Sequence, residues 1–324
     1  MLAHAHASAV AYAPPAVGGD TLSLVRTRCC ICDADDADPV AVGEDFEHRT
    51  SRDTFLATRC RACGVLFVNP QPAAHELARL YPAAYDAREA AGAGAREQDA
   101  RRLLAWCGTV PDGARVLDVG CGAGTDLALL RDFGSDGWRL EGVEPRARAA
   151  QAARRAGLTV HEAMVEDLAP GARGAYDVAL LIHTLEHFAD PPAALAAVRA
   201  LLRPGGRAVV VTPNAASAAW ALFQGRHWAG YDFPRHRYLF DRDTLAKLAA
   251  RVGLRVESVA TAPSAALWVR SAHHLAADWG APPWLARRLA PASSLPLAAF
   301  AAVERLQQRR GRGALLCATL HAPV

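Results

Sequence analysis

Six short apolar runs, alternating with Ala/Leu/Arg-rich stretches, constrain this chain more than any other feature. They are Val116 to Val119, Leu140 to Val143, Thr159 to Glu162, Val178 to Ile182, Ala208 to Thr212 and Leu254 to Ala260. Runs this short, at this spacing, read as strands of βαβ units, because a strand that returns parallel to its predecessor needs a crossover about as long as a helix. The expected fold is α/β, a mainly parallel sheet covered by helices on both faces. Ligands of such sheets bind beyond the carboxyl ends of the strands, so motifs at those ends carry the most weight.

The first run opens VLDVGCGAGT, Val116 to Thr125, in which a strand leads through Gly120, Gly122 and Gly124 into a helix at about Asp126. Glycine is required where a backbone turns at positive φ or approaches a ligand closely, and the following helix start offers free N–H groups. A dinucleotide fingerprint would want glycine or alanine where Thr125 stands, and Asp118 ends the strand with a charge, which disfavours a nicotinamide cofactor. Glu144 ends the next strand, in LEGVEP, where a carboxylate can accept from both hydroxyls of a ribose.

From Arg115 to Ala260 the chain resembles the class I S-adenosylmethionine-dependent methyltransferases. The motifs that carry the likeness are VLDVGCGAGT, GVEP, YDVALLIHTLEHFADP, LLRPGGRAVVVTPN and HW-GYDFPRHRYLF. The resemblance implies a Rossmann-like methyltransferase sheet and S-adenosyl-L-methionine as cofactor. It further implies that Asp118, Gly120, Gly122 and Gly124 cradle the methionine portion and that Glu144 holds the ribose. The acid that many relatives place after the third strand is Met164 here, so Met164, Val165 and backbone would meet the adenine, with Glu166 and Asp167 nearby.

His183, Glu186 and His187 follow the fourth strand in HTLEHF. A histidine beside the acceptor can take its proton, since the ordinary imidazole pKa lies near neutrality. This stretch resembles the ubiquinone-biosynthesis O-methyltransferases, in which an acid-x-x-Glu-His is linked to metal. Here His183 replaces the first acid, so three roles stay open: base, metal ligand, or hydrogen bonds that orient the loop. His187 is the first candidate base, His183 also borders the cofactor, and His236 in PRH is the second candidate. The segment Trp220 to Phe240, with Trp228, Tyr231, His227 and His236, is expected to form a lid over the acceptor.

Cys29 and Cys32, and Cys60 and Cys63, form two Cys-x2-Cys pairs with 27 residues between them. Paired thiols at this spacing converge on one ion, and four thiolates leave no open position, so Zn2+ held by Cys29, Cys32, Cys60 and Cys63 is expected to be structural. Arg26, Arg28, Arg59 and Arg61 flank the pairs and are expected to favour thiolates. The module resembles the N-terminal zinc-ribbon-like part of some sugar and natural-product methyltransferases, which implies a share in the acceptor pocket.

The expected divisions are a flexible N-terminus (1–21), a zinc-ribbon-like module (22–72) and a helical connector with a mobile break at 90–95 (73–111). The transferase domain (112–262) and a helical Arg/Trp-containing extension (263–324) follow. That extension holds seven Arg, no Lys and two acids beside Trp268, Trp279 and Trp284, which suits a peripheral membrane or protein contact. A net charge of +3 is too mild to argue for nucleic acid. No run approaches the ~18 apolar residues of a membrane span, and no basic residue precedes the first apolar stretch, so a cytoplasmic enzyme is expected. The expected reaction is methyl transfer to a small-molecule or glycan-linked acceptor, at oxygen before carbon or nitrogen. The rivals are a zinc-ribbon adaptor that binds cofactor without turnover and, behind it, a nicotinamide oxidoreductase.

Overall fold

The computed structural model describes residues 21–82, 85, 93–289 and 294–323. The N-terminal part contributes β1 (Leu24–Val25), β2 (Ala37–Gly43), β3 (Phe55–Cys60), β4 (Leu66–Val68) and β5 (Gln71–Pro72). Two helices follow, α1 (Leu77–Leu80) and α2 (Ala93–Cys107). The break expected at 90–95 thus falls partly in α2 and partly outside the described residues, as does nearly all of the N-terminal stretch 1–21.

The larger part runs β6 (Arg115–Val119), α3 (Thr125–Phe133), β7 (Arg139–Val143), α4 (Ala147–Arg155), β8 (Thr159–His161), α5 (Val165–Leu168), β9 (Tyr176–Ile182), α6 (Pro191–Leu201) and β10 (Leu202–Pro213). It continues with α7 (Ala218–Phe223), β11 (Tyr238–Leu239), α8 (Arg242–Arg251), β12 (Arg255–Ala262), α9 (Ala265–Asp278), α10 (Pro283–Arg288), α11 (Ser294–Arg309) and β13 (Leu315–His321). Each of the six apolar runs lies on a strand, and the seven-stranded sheet has the order β12-β13-β10-β9-β6-β7-β8. Strands β6 to β10 pair in parallel, as short runs separated by helices require.

The reading of 263–324 as a purely helical extension needs correction. β13 inserts antiparallel between β10 and β12, with Ala318 opposite both Val210 and Val259. LLCATLH carries only one β-branched residue, so its Leu/Ala composition reads as helix, and sheet pairing overrides that propensity. The turn before it, at Gly311 and Gly313, and its alternating burial were the available signals.

The boundary at 72 is also crossed. β11, from the far side of the transferase sequence, adds to the module as the outer strand of the sheet β11-β4-β3-β2. One core unites Cys29, Ile31, Cys60, Cys63, Val65 and Phe67 with Phe240, Leu245 and Leu248. A second packs Phe55, Leu66 and Val68 on Trp228, Tyr231, Phe233 and Trp268. Residues 228–240 are therefore buried throughout, a plug between module and sheet rather than the expected lid. So many aromatics in one short segment gain more by burial than a mobile cover would allow. Within it Arg235, fully buried, donates to Asp45 at 2.6 and 3.0 Å and to Asp232 at 2.9 and 3.2 Å.

Candidate functional site

At the end of β6 the chain turns through Gly120 and Gly122, with φ of 72° and 56°. A Cβ at Gly120 would lie 2.5 Å from the Thr184 side chain, so glycine there lets the cofactor loop and the HTLEH segment touch. The Gly122 N–H donates to Glu144 Oε2 at 2.9 Å. Asp118, Gly120, Gly122, Gly124 and Glu144 are thereby gathered beyond the carboxyl ends of β6 and β7. Burial pushes the Asp118 carboxyl well above its usual range, and the Asp126 and Glu144 carboxylates add to the effect. Three acids crowded against open glycine backbone suit a cationic, hydroxyl-bearing ligand, which is the chemistry of an adenosyl sulfonium.

Glu144 is not open to solvent. Its Oε1 accepts from the Arg146 N–H at 2.9 Å and from Arg146 Nε at 2.8 Å. The Arg146 guanidinium in turn lies over the rings of Tyr81 and Tyr85, 4.9 and 5.4 Å from their centroids. Beyond β8, Met164 is exposed where an adenine face would pass, whereas the Val165 side chain belongs to the core. Only the Val165 backbone could meet a ligand. Glu166 Oε2 is buried there without a hydrogen-bond partner.

On the acceptor side, His183 sits at φ 53° with its N–H held by the Val211 carbonyl and its side chain partly exposed, 3.7 Å from Glu186. Glu186 is fully buried, and neither of its carboxylate oxygens has a hydrogen-bond partner. Burial raises its pKa, but His183, His236 and His187 around it prevail and bring it down to about 2. His187 is driven to about 3, first by burial and then by His236. Its Nδ1 lies 3.0 Å from the Tyr81 hydroxyl. His236 Nδ1 donates to the Gly230 carbonyl at 2.8 Å, and its Nε2 lies 4.0 Å from Glu186.

The three residues of HTLEH do not share one helical turn, because only Leu185–His187 forms a short 3-10 turn and His183 precedes it. The set whose ligand atoms lie within 4.8 Å of one another is instead Glu186, His187 and His236. Sequence reasoning assigned no role to Tyr81, Tyr85 or Arg146. The aromatic-basic pattern of FPRHR and the Arg after GVEP were the signals.

The four cysteine sulfurs of the module also lie within 4.8 Å of one another, with Cys29 and Cys63 3.3 Å apart and Cys32 and Cys60 3.5 Å apart. Gly64, at φ 90°, makes the second knuckle turn. The flanking arginines do not serve the thiolates as expected. Arg28 pairs with Asp33, Arg61 with Asp36 and Asp38, and Arg59 donates to the Gly64 carbonyl. A carboxylate is the stronger partner for a guanidinium, and Asp33, Asp36 and Asp38 stand within reach. The knuckles are tied to α8 instead, through Lys247 to the Cys63 carbonyl and Arg251 to the Ile31 carbonyl, both at 2.8 Å.

The methyltransferase-domain family model matches residues 91–259. The ubiquinone biosynthesis O-methyltransferase of Xanthomonas axonopodis pv. citri is 35% identical over 161 residues, which cover 46% of this chain and 66% of that protein. The enzyme of the same name from Sodalis glossinidius is 37% identical over 113 residues, 34% of this chain and 45% of its own length. The chain thus spans less than two thirds of these relatives. A SAM-dependent methyltransferase structure from Thermotoga maritima is 18% identical with a TM-score of 0.46, covering 70% of this chain and 89% of that one. Among the described residues no helix is long and apolar enough to cross a membrane.

Proposed function

The chain belongs to the methyltransferase-domain family, whose match covers just over half of it, and from that premise we propose that it methylates a hydroxyl of a small-molecule or glycan-linked acceptor. One observation carries the reading. An unbroken line of contacts runs from the cofactor acid to the acceptor histidine: Glu144 to Arg146, Arg146 over Tyr81, Tyr81 to His187. S-adenosylmethionine, when bound, supplies a methyl group already activated on sulfur. Asp118, the glycine loop and Glu144 hold it, Met164 and His183 border it, and the Tyr81–His187–Glu186 group places the acceptor. Calorimetric titration with S-adenosylhomocysteine, beside NADH as control, is expected to show micromolar binding of the first alone. Binding of NADH, or of neither, would overturn the reading, and binding without turnover on any acceptor would favour the adaptor.

His187 takes the acceptor proton in the tautomer whose Nδ1–H donates to the Tyr81 oxygen, which leaves Nε2 free. A base held near pKa 3 is weak, so it can serve only a hydroxyl that is itself acidic. The sign of the pH dependence follows. His187 is depressed from 6.5 and Glu186 from 4.5, so the native state takes up fewer protons than the unfolded chain below those values and loses stability as pH falls. The acid limb of kcat/KM for wild type is expected well below pH 6, and His187→Asn should slow turnover about 100-fold with cofactor affinity unchanged. Unchanged turnover in His187→Asn, or an acid limb near 6.5 that persists in it, would count against this assignment.

A second reading is favoured by the unpartnered oxygens of Glu186, because a divalent cation held by Glu186, His187 and His236 would satisfy them. Activity of the zinc-loaded enzyme that rises with added Mg2+ or Mn2+ separates this reading from the metal-free base. In the module, Cys29, Cys32, Cys60 and Cys63 suit one structural Zn2+.

The C-terminal helices suit an anionic membrane surface. Trp279 and Trp284 are 74% and 57% exposed, and Arg288, Arg305, Arg309, Arg310 and Arg312 are exposed. Of the two acids, Glu304 is buried against Trp268 and Asp278 is taken by His227. Deleting 263–324 would tear β13 from the sheet, so Trp279→Ser with Trp284→Ser is the cleaner probe. Wild type is expected to sediment with phosphatidylglycerol vesicles and the double variant at least about tenfold less, while equal sedimentation would dismiss the surface.

A further inference from the structure

We propose that Arg237 is the anion-binding residue of the acceptor pocket, and that the acceptor carries a carboxylate or phosphate group which docks on its guanidinium. The word acceptor rests on the methyltransferase reading, whereas the site itself rests on the residues around Arg237.

Arg237 stands just before β11 and is 6% exposed. Its backbone is pinned on both sides, since its N–H donates to the Glu186 carbonyl at 2.8 Å and its carbonyl accepts from Val68 at 2.9 Å. The arginine is thereby fixed between the module and the segment that carries Glu186 and His187. Its neighbours in sequence and space show how this protein treats a buried guanidinium. Arg235 has two aspartates and Arg270 has Glu47. Arg237 has no carboxylate within ion-pair distance among the described residues, and its side chain donates to a neutral partner, Gln71 Oε1, at 3.2 Å.

The phenols beside it do not supply the missing charge. Burial pushes the Tyr81 and Tyr238 hydroxyls up, Tyr238 to about 12, so both stay neutral. Burial pulls Arg237 down as well, yet an arginine side chain keeps its proton, and a cation this deep without an anion is costly. The same cluster holds two more buried donors without a well-formed hydrogen bond, Gln71 Nε2 and the Thr27 hydroxyl, which have only the neutral Tyr238 hydroxyl beside them. A guanidinium, an amide NH2 and a hydroxyl that share one need are satisfied by an oxyanion, which accepts from all three kinds of donor. Tyr81 links this corner to the reaction centre, because it is near enough to bear on the Arg237 charge and its hydroxyl lies 3.0 Å from His187 Nδ1. An acceptor anchored by its anion on Arg237 is thus held by one end while its hydroxyl is presented at the other.

The test is thermal unfolding of the zinc-replete full chain, without S-adenosylmethionine, in sodium phosphate, in sodium benzoate, and in sodium chloride at matched ionic strength. A saturable rise in Tm above chloride is expected with one of the two oxyanions, and which one responds tells phosphate from carboxylate. In Arg237→Met the rise should vanish while the Tm in chloride stays level or increases, because an unpaired buried charge has been removed. Gln71→Leu, which keeps the arginine, should weaken the anion at least fivefold and serves if Arg237→Met does not fold. No saturable rise in wild type, or an undiminished rise in either variant, overturns the proposal. Binding of S-adenosylhomocysteine is a separate readout: its loss beside an intact anion response would sink the methyl-transfer reading and leave this site standing.

Discussion

Stripping the metal from the four-cysteine cluster is expected to lower the melting temperature by at least about 10 °C and to do so for the whole chain in one transition. A four-thiolate zinc site contributes an apparent ~10–16 kcal/mol in small zinc modules at neutral pH, far beyond what a chain of this size can lose unnoticed. The loss would not stay in the module. Cys29, Cys60 and Cys63 are buried in the same core as Leu245 and Leu248, and Lys247 and Arg251 hold the knuckle carbonyls to α8. Without the ion, the thiols 3.3 and 3.5 Å apart are left to each other and to backbone N–H groups such as that of Ile31, which donates to Cys29 Sγ. β3 and β4, the strands that carry the second pair, also hold β11 and hence the neighbourhood of Arg237. The measurement is calorimetric unfolding with zinc quantified before and after chelation, repeated on Cys32→Ser and Cys60→Ser. Cys32 lies at the exposed edge of the cluster, so its variant reports the lost ligand with little lost packing. An unchanged Tm after full removal would mean that the cysteines are only core residues.

What could be read from the residues alone follows from how local each signal is. The strands β6 to β10 declared themselves because apolar runs bounded by helical stretches leave few other solutions, and the glycine loop with Glu144 marked the cofactor side because those residues act through backbone geometry close in sequence. β13 stayed hidden because pairing on both sides imposes its conformation, which its own composition does not favour. The plug at 228–240 was misjudged for a related reason. Aromatic and basic residues look the same in a lid and in a buried seam, and only the module packed across them decides. Tyr81, 106 residues from His187, and Arg237, 166 residues from Gln71, could not be placed by spacing at all. Each belongs to a contact between segments far apart in sequence, which only the folded chain brings together.

Glu144→Ala is expected to weaken S-adenosylhomocysteine by about 100-fold or more while the protein stays folded. An ionised acceptor of two hydrogen bonds contributes about 3 kcal/mol or more, and that is the corresponding factor in affinity. The stability half of the prediction comes from Asp118, whose carboxyl is pushed well above its usual range first by burial and then by repulsion from the Asp126 and Glu144 carboxylates. Removing one carboxylate relieves that repulsion and partly offsets the lost bond to the Gly122 N–H. Two further variants separate charge from loop geometry. Glu144→Gln keeps an oxygen for Gly122 and should lose affinity about tenfold, and Arg146→Ala should bind at least as tightly as wild type, because the guanidinium occupies the carboxylate that a ribose would engage. If Arg146→Ala instead matched the loss in Glu144→Ala, the arginine would be a part of the ligand site and not its competitor. Equal affinity in wild type and Glu144→Ala would remove Glu144 from the cofactor site altogether, and with it the contact line that joins this acid to His187.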